Sequence, residues 1–272
     1  MILVSGATGN VGHNVVTQLL EAGEKVRAIA RNPERLSFPP EVEVLRADLT
    51  EPESLPAALA GVERAFLFPV PGATEGFLAQ GKDLRQVVLL SSISVDDEEE
   101  NSIGLMHLAH ERALAASGLK WTFVRPGGFM TNDLAWVPGV KAGVVRAPFG
   151  AAAQASVDER DIAAVVAQAL LDEAHAGQIY RLSGPESLTV AQRVRIIGDV
   201  LGQEVRFEEQ DPAEARRQMV TYMPEPIVDT LLSTFEGLVG TTAPVLPDVE
   251  RVTGRPPFTY ASWVAHHAAD FR

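Results

Sequence analysis

The chain has 272 residues, 46% of them hydrophobic, and a formal net charge of −13. That length accommodates a full nucleotide-binding sheet plus a smaller appended region, and the acidic balance argues against direct nucleic-acid binding, which needs a basic footprint. There is no cysteine, so disulfides, thiolate metal sites and thiol catalysis are excluded; no apolar stretch is long enough to span a bilayer and no charged signal region precedes the first strand, so a cytoplasmic protein is expected.

Met1-Ile2-Leu3-Val4-Ser5 predicts a strand, and Gly6-Ala7-Thr8-Gly9-Asn10-Val11-Gly12 follows it without a break. Val11, Val15, Val16, Leu19 and Leu20 then form an apolar face at helical spacing, and Gly23 stands where such a helix is capped. A strand, a Gly-x-x-Gly-x-x-Gly turn and a helix together make a holder for a diphosphate. Gly6 permits the tight turn, Gly9 lets backbone N–H groups approach the phosphates, and Gly12 lets the helix pack close to the strand. The helix N-terminus adds orphan donors and the positive end of its dipole. The next predicted strand, Lys25–Ala30, ends at Arg31-Asn32 with no acid at its tip. An NAD site usually places Asp or Glu there for the ribose 2′-hydroxyl, whereas a 2′-phosphate calls for a cation whose donors can fork onto it. NADP(H) is therefore expected over NAD(H), the alternative being an exposed Arg31 that opens a helix near Pro33.

Val42–Leu45 predicts a strand leading to Ala47-Asp48-Leu49, and Thr50 with Glu53 reads as a capping box for a helix ending at Gly61. Arg64–Phe68 is a strand broken by Pro69 and Pro71; a helical stretch near Thr74–Leu84 leads to the buried run Val87–Ser92. Continuous apolar runs of this kind suit a parallel sheet covered on both faces. Asp96–Glu100 is acidic throughout and reads as a solvated loop. A helix over Ser102–Ser117 closes at Gly118, and the strand Trp121–Arg125 is stopped by Pro126-Gly127-Gly128. Asp158-Glu159-Arg160-Asp161 opens a helix that starts at Ile162, Gln178–Leu182 is a strand, and Thr189 with Gln192 caps a helix running to Gly202. Beyond that point prolines separate short helical pieces. The pattern predicts an α/β fold, a Rossmann-type doubly wound parallel sheet with ligands at the carboxyl ends of its strands. Residues 1–150 are expected to form the dinucleotide-binding core, 151–202 its remainder and crossover elements, and 203–272 a small, mostly helical substrate region.

These segments resemble the atypical short-chain dehydrogenase/reductases, specifically the NmrA-like branch of NAD(P)H-binding proteins that includes quinone reductases and redox sensors. The resemblance is carried by the glycine turn, Arg31-Asn32-Pro33, Ala47-Asp48-Leu49, Leu90-Ser91-Ser92, Ser117-Gly118-Leu119, Arg125-Pro126-Gly127-Gly128-Phe129 and Asp161-Ile162-Ala163, and covers about residues 1–205. It implies that Thr8, Asn10 and Val11 lie at the diphosphate with Gly6 and Gly9, Arg31 at the 2′-phosphate, and Asp48-Leu49 around the adenine. It also places Phe68-Pro69 along the ribose and nicotinamide, and Pro126 beside the nicotinamide.

The chain departs from the family at the catalytic dyad. Catalytic members use Tyr-x-x-x-Lys, in which the Lys lowers the phenol pKa so that the Tyr can pass a proton to the substrate. Here Tyr180, Tyr222 and Tyr260 are followed four positions on by Gly184, Pro226 and Val264, and the family slots fall at Ile103 and His107. His107 has three readings: a contact to the nicotinamide ribose, a proton donor, or a helical residue satisfied by backbone. Ser91 and Ser92 end a strand at the ligand edge, where one can bond cofactor or substrate or simply cap the strand; His107 and Ser92 are the candidates for a catalytic role. His107-x-x-His110-Glu111 lacks a third ligand, so no metal is expected, and His266-His267 are expected at the surface. Phe129, Met130 and Trp136 either line an apolar pocket or pack in the core. The function expected is an NADP(H)-dependent oxidoreductase passing hydride to a quinone or an activated alkene or carbonyl, acceptors that need little help from a protein acid. The alternatives are an NAD(P)(H) sensor without turnover and a non-redox isomerase or cyclase. The partner expected is a small apolar or aromatic substrate, met by a monomer or homodimer with no direct nucleic-acid or membrane contact.

Overall fold

In the computed structural model, which describes residues 1–97 and 101–272, strands and helices alternate along the chain. The first part runs β1 (Ile2–Val4), α1 (Asn10–Glu21), β2 (Val26–Ala30), β3 (Glu43–Arg46), α2 (Leu55–Leu59), β4 (Arg64–Leu67), α3 (Thr74–Gln80), β5 (Gln86–Leu90) and α4 (Ser102–Ala116). It continues through β6 (Lys120–Pro126), α5 (Val137–Lys141), β7 (Val144–Ala147), β8 (Ala153–Gln154), α6 (Glu159–Leu171), β9 (Gln178–Leu182), β10 (Leu188–Thr189) and α7 (Val190–Leu201). Then come β11 (Arg206–Glu209), α8 (Pro212–Met219), α9 (Glu225–Gly237), α10 (Asp248–Thr253) and α11 (Tyr260–His266).

Seven strands form one sheet in the order β3-β2-β1-β4-β5-β6-β9, and every pairing in it is parallel. The chain winds outward from β1 in one direction and, after β3, returns to lay β4 on its other side. The order thus reverses between β1 and β4, and the crevice at a doubly wound sheet's carboxyl edge opens at such a reversal.

Side-chain alternation divides the sheet between two cores. Ile2, Val4, Phe66 and Val88 face one way and pack with Val15, Val16 and Leu19 of α1 and Ile162 and Val166 of α6. Leu3, Ala65, Leu67 and Leu89 face the other way, against Leu55 of α2, Phe77 of α3 and Leu114 of α4. A third cluster joins Met130, Val194, Ile197, Trp263 and Phe271. It surrounds a buried polar tie, in which Asp133 accepts from Arg193 (2.6 and 2.7 Å) and from the Tyr260 hydroxyl (2.6 Å).

Several local expectations are corrected. Thr50 and Glu53 do not cap a helix: the Thr50 hydroxyl donates to Asp48 Oδ1 (2.7 Å), and a 3₁₀ turn over Pro52–Ser54 precedes α2. Near Pro33 the chain makes only a 3₁₀ turn, Pro33–Arg35. His267 is not a surface residue; its ring nitrogens bond Glu159 (2.8 Å) and Asp270 (2.7 Å), fastening the end of α11 to α6. The Thr189–Gln192 capping box forms as expected. Four short strands are missing from the sequence reading. Of these, β11 pairs in parallel with β7 and so ties residues after 203 to the segment that follows β6; β8 and β10 form an antiparallel pair.

Gly12 fixes how close α1 comes to the sheet, because a Cβ there would stand 2.2 Å from the Gly6 carbonyl oxygen, an atom the backbone cannot move aside. Gly12→Ala is expected to cost about 1–3 kcal/mol, the usual range for overpacking. Gly237→Ala, where a Cβ meets nothing within 4 Å, should lose nothing. Urea unfolding of the two variants compares them directly, and equal midpoints would refute the packing argument.

Candidate functional site

The site is assembled from residues at the carboxyl ends of β1 to β6. Gly6 has φ +65°, a conformation that costs glycine little, and a Cβ at this position would come within 2.9 Å of Phe68 Cβ. The Ser5 hydroxyl donates to the Phe66 carbonyl (3.1 Å) and accepts from the Phe68 N–H (2.8 Å), which locks the end of β1 to that of β4. Phe68 remains 42% exposed above the turn. The N-cap of α1 is Gly9, with no side-chain cap and no acid in the first turn, so the leading N–H groups are free to meet an anion. Thr8, Gly9 and Asn10 are exposed there, while the Val11 side chain is in the core and offers the site only its backbone.

Arg31 is exposed just past the end of β2, and among the described residues no hydrogen bond or ion pair engages it. Asp48, just past β3, accepts from the Thr50 N–H (2.9 Å) and hydroxyl; these bonds hold its carboxyl below the usual range, with the Arg31 charge adding to them. Leu49 and Pro69 are buried, and Pro126 ends β6 in the interior.

Ser91 and Ser92 point to different partners. The buried Ser91 hydroxyl donates to Glu111 Oε1 (2.6 Å). Ser92 Oγ accepts from the Ser94 N–H (3.2 Å), capping a 3₁₀ turn over Ile93–Asp96.

Ile103, His107 and Glu111 lie one turn apart on α4 and share a face. Glu111 takes a bidentate pair from Arg125 (2.8 and 2.5 Å). His110 is bonded through Nδ1 to the Thr74 hydroxyl (2.6 Å). Among the described residues, His107 Nδ1 is buried without a partner. Burial, together with the neighbouring His110, pushes the His107 pKa down to about 4 against the opposing pull of Glu111, so the ring is neutral at ordinary pH. Backbone does not satisfy Nδ1, as one of the sequence readings had it.

Asp96 and its neighbours were missed by the sequence reading. The Asp96 carboxylate accepts from Arg125 Nη1 (2.5 Å) and from two nitrogens of Arg181 (2.7 and 3.0 Å), so this part of the acidic run is not a free loop. Asp97 accepts from Asn101 (2.7 Å), and residues 98–100 lie outside the described residues. The available signal was Arg125 itself, a cation inside an apolar strand that must find a carboxylate when buried. Of the apolar segment after β6, Met130 belongs to the third core cluster, Trp136 packs against it under the Arg193 guanidinium, and Phe129 is half-buried. Among the described residues no group of three or more His, Asp or Glu could hold a metal, and no helix is long and apolar enough to cross a membrane.

The geometry matches a known family along most of the chain. A family model described as NAD(P)H-binding matches residues 6–173. A Streptomyces griseus protein, (4-alkanoyl-5-oxo-2,5-dihydrofuran-3-yl)methyl phosphate reductase, is 40% identical over all of this chain and 99% of its own. An NAD(P)H azoreductase of Xenophilus azovorans is 32% identical over the same shares. Among solved structures, an NADPH-dependent quinone oxidoreductase of Escherichia coli in complex with NADPH superposes with a TM-score of 0.82 at 25% identity, over 98% of this chain and 99% of that one.

A ring held neutral cannot supply the protonated form that a general acid needs. Between about pH 6 and 8, His107→Gln should leave the shape of the pH–rate profile unchanged and turnover within a few-fold. General acid catalysis contributes about 10²–10⁴-fold; a loss of that size, with a limb of the profile disappearing, would make His107 the proton source.

Proposed function

The chain belongs to the NAD(P)H-binding family, and we propose that within it this protein is an NADP(H)-dependent reductase of flat, electron-poor acceptors in which an alkene or quinone is conjugated to a carbonyl. The observation that carries the reading is a close-packed turn of three glycines at the end of β1, together with a helix, α4, that offers only the half-buried Ile103 and a neutral His107 where the family's dyad stands. Ile103 cannot titrate, and His107 is uncharged where an acid is wanted. An acceptor suited to this site must spread its own developing charge and take its proton from water. A conjugated carbonyl does so, because the negative charge formed at carbon passes to the oxygen; an isolated ketone does not. The 40%-identical relative is named for a dihydrofuran whose ring alkene is conjugated to both a ring carbonyl and an alkanoyl group, an acceptor of this kind.

The residues fit the cofactor. The close approach at Gly6, Gly9 and Gly12 and the uncapped start of α1 suit a diphosphate, with Thr8, Asn10 and the backbone of Val11 around it. Arg31 is the cation for a 2′-phosphate, and Asp48 with Leu49 borders the adenine. When bound, the reduced nicotinamide supplies hydride. Phe68, Pro69 and Pro126 form an apolar wall that orients it and excludes water. His107 has a nitrogen to bond the ribose, Ser92 stands at the same edge, and Ser91, already donating to Glu111, acts through that residue. We assign residues 1–150 to the dinucleotide core, 151–202 to its completion, and 203–272 to the side that receives an apolar or aromatic substrate.

Two experiments test this reading. In a panel of quinones, conjugated enones and simple ketones with NADPH, oxidation of the cofactor is expected with the first two classes and not the third. Tight NADPH binding with no turnover on any acceptor would favour a sensor instead. For the cofactor, Arg31→Ala should weaken NADPH by roughly 1.5–3 kcal/mol, the range for hydrogen bonds to charged groups, or tenfold and more, while NADH binding barely changes. Equal losses for both, read by fluorescence titration, would remove the 2′-phosphate assignment.

A further inference from the structure

Glu111, Arg125, Asp96 and Arg181 form a chain of alternating charge along the carboxyl edge of β5, β6 and β9. Glu111 occupies Nε and Nη2 of Arg125 and leaves Nη1 for Asp96. One guanidinium shared by two carboxylates leaves a negative charge over, and Arg181 balances it with a bidentate grip on Asp96. Arg181 is itself set in place by its backbone N–H, which donates to Asp248 at the start of α10 (2.9 Å). Burial works against a charged Asp96, but the Arg181 hydrogen bonds and the two arginine charges outweigh it and hold the carboxyl below its usual range.

We infer that Asp96 is a positioning residue for hydride transfer, fixing the Ile93–Asp96 turn and, through it, the first two turns of α4 that carry Ile103 and His107. The mechanical link is backbone on backbone. A Cβ at Gly104 would lie 2.3 Å from the Ser94 carbonyl oxygen, so the start of α4 rests directly on the turn. Asn101 caps the helix at the same place, its side chain accepting from the Gly104 N–H (2.7 Å). Ser92 begins the turn and Asp96 ends it, so one carboxylate pinned to β6 and β9 sets the position of both candidate polar groups of the site. Glu111 anchors α4 two turns further on, and it remains paired with Arg125 when Asp96 is neutralised. The fold therefore keeps its buried ion pair, and what is lost is the seating of the turn.

This inference rests on the site being one of hydride transfer, so its test has two independent readouts. Asp96→Asn keeps the side-chain size and removes the charge. Turnover of a conjugated acceptor should fall tenfold or more, with the NADPH dissociation constant within about threefold of the parent, because the phosphate cradle lies at β1 and α1. Amide hydrogen exchange over Leu105–Ala109 should quicken in the same variant, whether or not an acceptor is known. Arg181→Gln, at a half-exposed side chain where folding is not at risk, should give a smaller loss in the same direction, and adding it to Asp96→Asn should cost nothing further. Unchanged exchange over Leu105–Ala109, or NADPH affinity falling in parallel with turnover, would overturn the inference. Absence of turnover in the parent protein with every acceptor would instead overturn the proposed function and leave the exchange experiment to decide this one.

Discussion

The approach of α1 to the end of β1 is the constraint on which the site depends. A helix normally stands off a sheet by the width of its side chains, and here it does not, because Gly12 presents no Cβ to the Gly6 carbonyl. Three features of the site meet at that contact. The uncapped first turn of α1 comes level with the ends of the strands, so its free N–H groups point into the crevice. Gly6 takes a positive φ, and with no Cβ it leaves room for Phe68 to lie against the turn. The switch in strand order between β1 and β4 then lies under the same turn, where the sheet itself leaves a groove. The close approach of α1 thus depends on one missing methyl group.

A chain with a net charge of −13 poses an electrostatic problem for a phosphate-rich cofactor. The structure meets it locally. The first turn of α1 carries no acid, and among the described residues two carboxylates near the strand ends are paired, Glu111 with Arg125 and Asp96 with two arginines. Paired carboxylates project little field beyond their partners, and screening at physiological salt confines the remaining surface charge to about 8 Å. Arg31, by contrast, is spent on no partner among the described residues. The exposed Arg31 guanidinium and the positive end of the α1 dipole both favour an anion at this edge of the sheet.

The parts of this molecule readable from sequence are those with local causes. The glycine turn, the parallel strands written as apolar runs, and the Thr189–Gln192 box each specify their structure within a few residues, and all seven strands of the main sheet were anticipated. Failures occurred where a distant partner decides. Thr50 looks like a cap until Asp48 takes its hydroxyl, and His267 looks like a surface residue until Glu159, over a hundred positions away, accepts from it. Strands β7 and β11 are too short to signal themselves and exist because each supplies the other's hydrogen bonds. Asp96 is the instructive case for the site. Within its neighbourhood in sequence it belongs to an acidic run, and only the ends of β6 and β9, brought together by the sheet, make it a bridge between two arginines.

The neutral state of His107 follows from the same crowding that organises α4. Its ring lies largely out of water and shares the helix with His110, and burial outweighs the Glu111 charge that would stabilise a proton on it. Under the proposed function, discrimination among acceptors rests on the acceptor's own electronics, since neither Ile103 nor a neutral His107 offers a charged acid. On the proposed reading, an alkoxide forming on an isolated ketone gains no imidazolium from His107, whereas a conjugated acceptor spreads its charge until water arrives. A few kilocalories of such difference in transition-state stability, at about 1.4 kcal/mol per tenfold in rate, is sufficient to make the site selective without any residue touching the distinguishing atoms.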